Sequence, residues 1–396
     1  MTAKNKNKLF SPEAVPVAVL RERAYNYRWA TVDKGVIPLT AADPDFPVAE
    51  EILEAIREYI QPGILSYGPP SGLPAFKEAI AHWYFTTKNV EYKTNHVLPV
   101  DSAAFALFLA DKTFLKKGDK AIVLEPVDFL FRQSVEYAGA SVITSVLNKT
   151  TGEINMNDIV SKLDEKVKAI FICNPNNPLG KTLSESDLRR IGQLAVKHNL
   201  WIISDEIWAD ICYNNSFISI ASLGEEIKNR TITISGLSKN FGLAGLRVGY
   251  LCVGNQRVYD KLFEASRFAS TAFGVSTLSQ VAATAALTRG GAWLAEFLKH
   301  LEGMRDYAAS RLDKMNYFEL NAPNATYLLF PKIKHTKLGS QAMCDFLLKE
   351  AGVALIPGGE KWFEKSSEKH IRICYSTSHN ILKEAFDRME HTLGKM

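Results

Sequence analysis

From about residue 97 to residue 253 the chain alternates short β-branched runs with amphipathic stretches, and that alternation limits the possible folds more than any other feature. The spacing predicts helices over Phe105–Phe114, Phe131–Ala138 and Met156–Leu163, separated by strands over Lys120–Leu124, Ser141–Val146 and Lys168–Cys173. Beyond these, a helix is expected from Ser184, where Asp187 stands in position for a capping box, and strands over Leu200–Ser204, Thr231–Ser235 and Val248–Val253. Strands taking turns with helices predict an α/β architecture, a mostly parallel sheet sandwiched by helices. Ligands of such sheets sit beyond the carboxyl ends of the strands. Three polar stretches fall there: NPNNPLG after Cys173, DE after Ser204, and SGLSKNFGLAGLRVGY, which starts at Ser235.

The last of these sets one lysine, Lys239, among small residues just past a strand end. A protonated lysine is a poor nucleophile, so chemistry on it needs a site that lowers its pKa. Arg247 follows Gly242, Ala244 and Gly245; glycines let backbone approach a ligand closely, and a guanidinium grips phosphate with two parallel hydrogen bonds. Together they suggest a Schiff-base lysine beside a phosphate grip. The plainer reading is a surface loop with two ordinary charges. Asp205 closes the apolar run LWIIS, where a carboxylate needs a cation or a donor, and a structural salt bridge would also explain it. Asn177 lies in a proline- and asparagine-rich loop that turn chemistry alone could account for.

The flanks differ. After a polar start, Val36–Thr40 is a short apolar run ending at the turn AADPDFP. Helical patterns follow over Ala49–Ile60 and Leu73–Tyr84, with the rigid loop Tyr67-Gly68-Pro69-Pro70-Ser71-Gly72 between them; a tyrosine there can be structural or donate to a phosphate. Past Val253 come long helical patterns, Ser276–Leu287 and Trp293–Met315, the second weakly broken at Gly303. Strands are expected over Thr326–Phe330 and His370–Ser376, with a closing helix over Leu382–Leu393. A chain of 396 residues exceeds one core, so we expect a segment 1–48 packed on a small α+β domain 290–396, and a large domain 49–289.

With 46% hydrophobic and 23% charged residues the chain is ordinary globular protein. Its 47 basic and 43 acidic residues are well mixed, which argues against nucleic acid or an anionic membrane surface as partner. The five cysteines have no CxxC spacing and no metal site is expected; they read as reduced core residues of a cytoplasmic protein. MTAKNKNKLF lacks a signal-peptide core, and no run approaches the roughly 20 apolar residues of a membrane span.

Taken in order, these stretches resemble the class I/II aminotransferase family of fold-type I pyridoxal-phosphate enzymes, from about Leu39 to Leu393. NPNNPLG looks like that family's NP-x-NP-[TC]-G loop, DEIW like its D-E-[IV]-Y, SKNFGLAGLRVGY like its SK-x-FG-x-x-G-x-R-x-G, and HIRICYS like its C-terminal arginine strand. The resemblance implies pyridoxal 5'-phosphate as cofactor and an amino acid and a 2-oxo acid as substrates of a ping-pong aminotransferase. It implies that Lys239 holds the cofactor covalently and shuttles a proton, that Asp205 keeps its pyridine nitrogen protonated, and that Asn177 donates to its O3' oxygen. Arg247, Ser235 or Ser238, and the backbone of Ser102-Ala103 would hold the phosphate. Arg372, with Asn177 and Ala42, would bind the substrate, Arg372 gripping its α-carboxylate. Tyr67 would reach the phosphate of a neighbouring subunit, since family members are homodimers with shared sites.

The departures are as informative. Trp208 stands where the family has a tyrosine that also binds O3', and an indole only donates. Asp101 would put negative charge beside a phosphate, so it must point away or find a cation. Asp128 occupies the position of the ring-stacking aromatic, with Phe129 next to it as the stacking candidate. Gly236, three residues before the lysine, replaces a frequent serine. A carbon-sulfur β-lyase of the same fold is the alternative activity, because those lyases also tend to lack the tyrosine at Trp208. Regulators built on this fold carry a further DNA-binding domain, for which 396 residues leave no room.

Overall fold

A computed structural model describes residues 9–214, 217–270 and 274–396; the first eight residues of the expected N-terminal segment lie outside the described residues. Its centre is a seven-stranded sheet of β1 (Val97–Val100), β2 (Lys120–Glu125), β3 (Ser141–Val146), β4 (Val167–Cys173), β5 (Trp201–Asp205), β6 (Thr231–Gly236) and β7 (Gly249–Val253). They lie in the order β1-β7-β6-β5-β4-β2-β3. Pairing is parallel from β3 through to β6, and β7 runs antiparallel to both β6 and β1. The chain leaves β2 outward to β3 and returns on β2's other side to β4, so the strand order reverses at β2, where a crevice for ligand opens.

Burial on both faces explains why the central strands are near-continuous apolar runs. Alternate residues divide between two cores: Ala121, Val123, Ala169 and Phe171 pack toward helices Ala103–Phe114, Leu130–Tyr137 and Gln256–Ser266. Ile122, Leu124, Ile170 and Ile172 face the other way, onto helices Met156–Ser161 and Glu185–His198. The cap expected at Ser184 is present, its side chain accepting from Asp187 N at 3.1 Å. Gly303 does not interrupt helix Gly291–Lys314, because the buried stripe Leu294, Phe297, Leu301, Met304, Ala308 and Leu312 outweighs the roughly 1 kcal/mol that an exposed glycine costs.

A second group of strands follows, β8 (Leu328–Leu329), β9 (Ile356–Pro357) and β10 (Ile371–Cys374), with β10 in the middle and antiparallel to both neighbours. Helices Ser340–Ala351 and His379–Leu393 cover it. The first of these helices and Gln256–Ser266 have no counterpart in the sequence reading. Residues Ile37–Pro38 pair parallel with Val353–Ala354, and buried Arg28 and Asp45 form an ion pair that ties the N-terminal segment to the turn before helix Glu50–Ile60. Among the described residues no helix is long and apolar enough to cross a membrane.

One core residue is out of place. Asp111, on helix Ala103–Phe114, is fully buried with neither carboxylate oxygen partnered, since the nearby Ser134 hydroxyl is given to the Phe131 carbonyl at 3.0 Å. Burial pushes its pKa up to about 8. An acid whose folded pKa is raised costs nothing below its unfolded value and costs progressively more as pH rises toward the folded one. The Asp111 contribution to stability should therefore fall between about pH 4 and pH 8, and Asp111→Asn should flatten that part of the slope and gain about 4 kcal/mol at pH 7. Denaturant melts of both proteins at pH 5 and pH 8 check this, and parallel pH dependences would contradict it.

Candidate active site

A cavity of about 360 Å³ opens at the carboxyl ends of β2, β4, β5 and β6, closed on one side by β10 and by residues of the N-terminal segment. It gathers Ala42, Ser102, Ala103, Asp128, Phe129, Asn177, Asp205, Trp208, Ser238, Lys239, Arg247 and Arg372, residues spread over the whole chain. This is the convergence that the strand-end stretches predict.

Lys239 follows β6 by way of Leu237, whose burial fixes the turn beneath it. Its Nζ donates to the Ala42 carbonyl at 2.7 Å and lies 5.6 Å from the Trp208 ring. Burial pushes the lysine below its usual pKa; Asp43 works against that shift and Arg372 with it. A lysine so placed keeps more of its amine free, as a nucleophile and as a base. Asp205 ends β5, in register with Cys173 and Ile234. Strand alternation sends its side chain into the cavity and that of Glu206 into the core, where Ser204, Ser219 and Tyr84 hydroxyls satisfy it. Asp205 accepts one backbone bond, from Ile207 N at 3.0 Å, and burial raises its pKa to about 7. The salt bridge that would have explained it structurally does not form among the described residues.

The loop after β4 shows why only one of its asparagines faces the cavity. Asn174 is held by Ile218 O at 3.0 Å and Leu183 N at 2.9 Å, and Asn176 by Pro126 O at 3.1 Å and Leu179 N at 3.0 Å. Gly180 closes the loop at φ +64°, where a Cβ would lie 2.5 Å from Pro323. Asn177 is left to bridge Asp128 and Arg372: its Nδ2 donates to Asp128 Oδ2 at 3.3 Å, and its Oδ1 accepts from Arg372 Nη1 at 3.1 Å. Arg372 also donates from Nη2 to the Thr40 carbonyl at 3.2 Å and lies 5.1 Å from the Phe363 ring, while its buried Nε has no partner.

At the opposite end, Ser102 caps helix Ala103–Phe114, accepting from Phe105 N at 3.1 Å, so the positive end of a twelve-residue helix opens on the cavity. Gly249 of β7 permits this: a Cβ there would meet Ala103 N at 2.8 Å. Arg247, in the left-handed region at φ 51°, stands beside this helix end with Nη2 3.8 Å from Asp101 Oδ1. Asp101 has thus found its cation, and that cation is the expected phosphate arginine. Ser238 lines the cavity beside Arg247, whereas Ser235 is buried within β6 and donates to the Glu206 carbonyl at 3.2 Å. Tyr67 does not reach the cavity of its own chain and is 88% exposed. The Trp208 indole packs edge-on to Tyr327 at 4.6 Å.

Several lining residues were not singled out from sequence. Asn26 and Tyr27 had no motif to mark them, Ile207 stood inside DEIW without a role of its own, and Trp362, edge-on to both Tyr27 at 5.6 Å and Phe129 at 5.9 Å, sits in a short helix with no periodic signal. Asp128 stood out only as a departure.

The cavity suits pyridoxal 5'-phosphate on its own chemistry. A buried carboxyl held near pH 7 without a cation matches a protonated ring nitrogen, and a capped helix end with Ser238 and Arg247 matches a phosphate. A lysine of lowered pKa lies in the same cavity. Residues 34–389 match the family model for aminotransferase class I and II. The chain is similar to an aspartate aminotransferase of Pyrococcus abyssi, 33% identical over 91% of this chain and 92% of that one. Its fold is similar to that of an aromatic aminotransferase of Pyrococcus horikoshii, with TM-score 0.85 and 30% identity over 92% and 97% of the two chains. A pyridoxal-phosphate-bound structure from Clostridium difficile is similar at TM-score 0.88 and 27% identity, over 94% and 97%. The chain therefore belongs to the aminotransferase class I and II family, and it is a pyridoxal 5'-phosphate-dependent aminotransferase.

Proposed function

We propose that the protein exchanges an amino group between an L-amino acid and a 2-oxo acid in a ping-pong cycle, with Lys239, Asp205 and Arg372 as its central residues. The observation that carries this is the cavity itself, which holds a depressed lysine, an unpaired buried carboxyl and a buried arginine together. The cofactor, when bound, supplies an electron sink for the electrons released at the substrate Cα. Lys239 would hold the cofactor through its Nζ and would be the base that takes the substrate's Cα proton. Asp205 would keep a proton on the ring nitrogen. Arg372 orients the substrate through its α-carboxylate. Ser102, Ala103, Ser238 and Arg247 hold the phosphate; Ser235, turned into β6, contributes through its strand alone. Phe129 and Trp208 would bound the ring, and Ala42, whose carbonyl accepts from Lys239, would lie on the substrate side.

The β-lyase alternative is not favoured, because the relatives at 30% identity or more are named aminotransferases. The test is a single-turnover screen of the loaded enzyme with individual amino acids. Transamination yields one equivalent of the 2-oxo acid with the donor's own carbon skeleton; pyruvate and a free thiol from a β-thio-substituted donor would point to the lyase.

We also infer a homodimer with shared sites. Exposed Ile64, Leu65 and Tyr67 form an apolar, rigid projection that a second copy would cover, bringing the phenol to the partner's phosphate site. Sedimentation of active enzyme should give twice 44.1 kDa; a fully active monomer would contradict it. The division into 1–48, 49–289 and 290–396 is our proposal for the domains, supported by the separate strand groups. The five free cysteines suit a reducing compartment, and we assign the protein to the cytoplasm.

A further inference from the structure

We propose that Asp128 is the seat for the α-ammonium group of the amino-acid substrate, forming with Arg372 a two-ended clamp for a zwitterion. The proposal rests on the aminotransferase reading above and adds to it a substrate-positioning residue where the resemblance led one to expect a ring-stacking aromatic.

The geometry begins with Asn177. A carboxylate only accepts and a guanidinium only donates, so the amide has one possible orientation between them: Nδ2 to Asp128 and Oδ1 to Arg372. That bridge fixes the distance between one fixed negative and one fixed positive charge, both on the cavity wall. Asp128 is itself held from behind, its Oδ1 accepting from Leu130 N at 3.2 Å. Each carboxylate oxygen still has lone-pair capacity beyond its single bond. An α-amino acid carries its two charges on adjacent carbons, and a cavity offering guanidinium and carboxylate on either side of one small amide presents the complementary pair. The carboxylate side of the substrate is served by Arg372, and among the described lining residues the one other carboxyl is Asp205, which is reserved for the ring.

The charged and titratable groups facing Asp128 are Arg372 from β10, Lys239 past β6, Asp205 at the end of β5 and Cys173 at the end of β4. Burial pushes the Asp128 carboxyl above the usual range, with Arg372 and Lys239 pulling it back. The ammonium seat therefore works above that raised value and is lost as pH falls through it.

The consequence separates the two halves of the cycle. The amino acid brings an ammonium; the 2-oxo acid brings only a carboxylate. In Asp128→Asn holoenzyme, the KM for amino-acid donors should rise about 10- to 100-fold, the loss of one hydrogen bond between charged groups. The KM for 2-oxo acids should stay within about threefold, or fall as a nearby negative charge is removed. Calorimetric titration with 3-phenylpropanoate, a carboxylate without an amine, should likewise show unchanged or tighter binding. Asp128→Glu, which keeps the charge, should recover part of the donor KM, and the acid limb of kcat/KM for donors should disappear in Asp128→Asn. Equal weakening toward donors, 2-oxo acids and 3-phenylpropanoate would overturn the proposal and make Asp128 a prop for Asn177. A loss confined to lysine, ornithine and arginine as donors would overturn it in favour of a side-chain site. If wild-type enzyme releases no 2-oxo acid from any amino acid, the aminotransferase reading itself fails, and calorimetric titration with L-phenylalanine beside 3-phenylpropanoate still tests the seat, since Asp128→Asn should weaken only the ligand that carries the ammonium.

Discussion

Lys239→Ala is expected to reduce turnover by at least about 10⁴-fold while the chain stays folded and still takes up the cofactor without a covalent bond. Two jobs fall on the one amine, holding the cofactor and moving the Cα proton, and among the described residues no other lysine lines the cavity to replace it. Folding should survive because the side chain makes one hydrogen bond, to the Ala42 carbonyl, and its truncation leaves the buried strand β6 untouched. Removing a cation also relieves the desolvation that depresses its pKa. Turnover measured with cofactor in excess checks this, and a variant within tenfold of wild type would mean another group carries the proton.

Asp205→Ala is expected to lower kcat/KM by about 10² to 10³-fold, the usual cost of losing a fixed electrostatic partner of the reacting group. Its effect on stability should have the opposite sign. In the cofactor-free chain Asp205 is a buried acid with a pKa raised to about 7, so it costs nothing well below pH 4 and increasingly more as pH rises through 7. The cofactor-free variant should therefore be more stable than wild type at pH 8, by about 2–4 kcal/mol, and indistinguishable from it near pH 4. Cofactor should raise the Tm of wild type at pH 8 more than that of the variant. Melting curves with and without cofactor at the two pH values decide it; a variant destabilised at pH 8 would show that Asp205 already has a cationic partner.

The parts of this fold that were legible in the sequence are those where one physical rule governs. Strands β2, β4, β5 and β6 fall within one residue of their expected bounds, because a parallel strand buried on both faces is a bounded β-branched run, and the edge strand β3 and the antiparallel β7 are bounded as closely. β1 was missed: VLPV is short, contains proline and lies at the sheet edge, where pairing to β7 decides its state. Helix Ser340–Ala351 hid in a mixed stretch, since its buried face is assembled from Met343, Cys344 and Leu347 in a weakly amphipathic pattern. At the site, order along the chain identified the groups at the strand ends and on β10. It could not tell that Ser235 turns inward while Ser238 faces the cavity, because that depends on where β6 stops. Nor could it find Tyr27 and Trp362, which reach the cavity by tertiary packing alone. Asp128 was visible as a misfit, and only its bond to Asn177 gave it a purpose.

Every proposed step depends on Lys239 as the residue that carries the cofactor, and borohydride reduction of the loaded enzyme, followed by proteolysis and mass mapping, reads that out. One pyridoxyl group per chain is expected, on the peptide containing Ser238-Lys239-Asn240. Recovery of that group on a different lysine, with Lys239 unmodified, would contradict it.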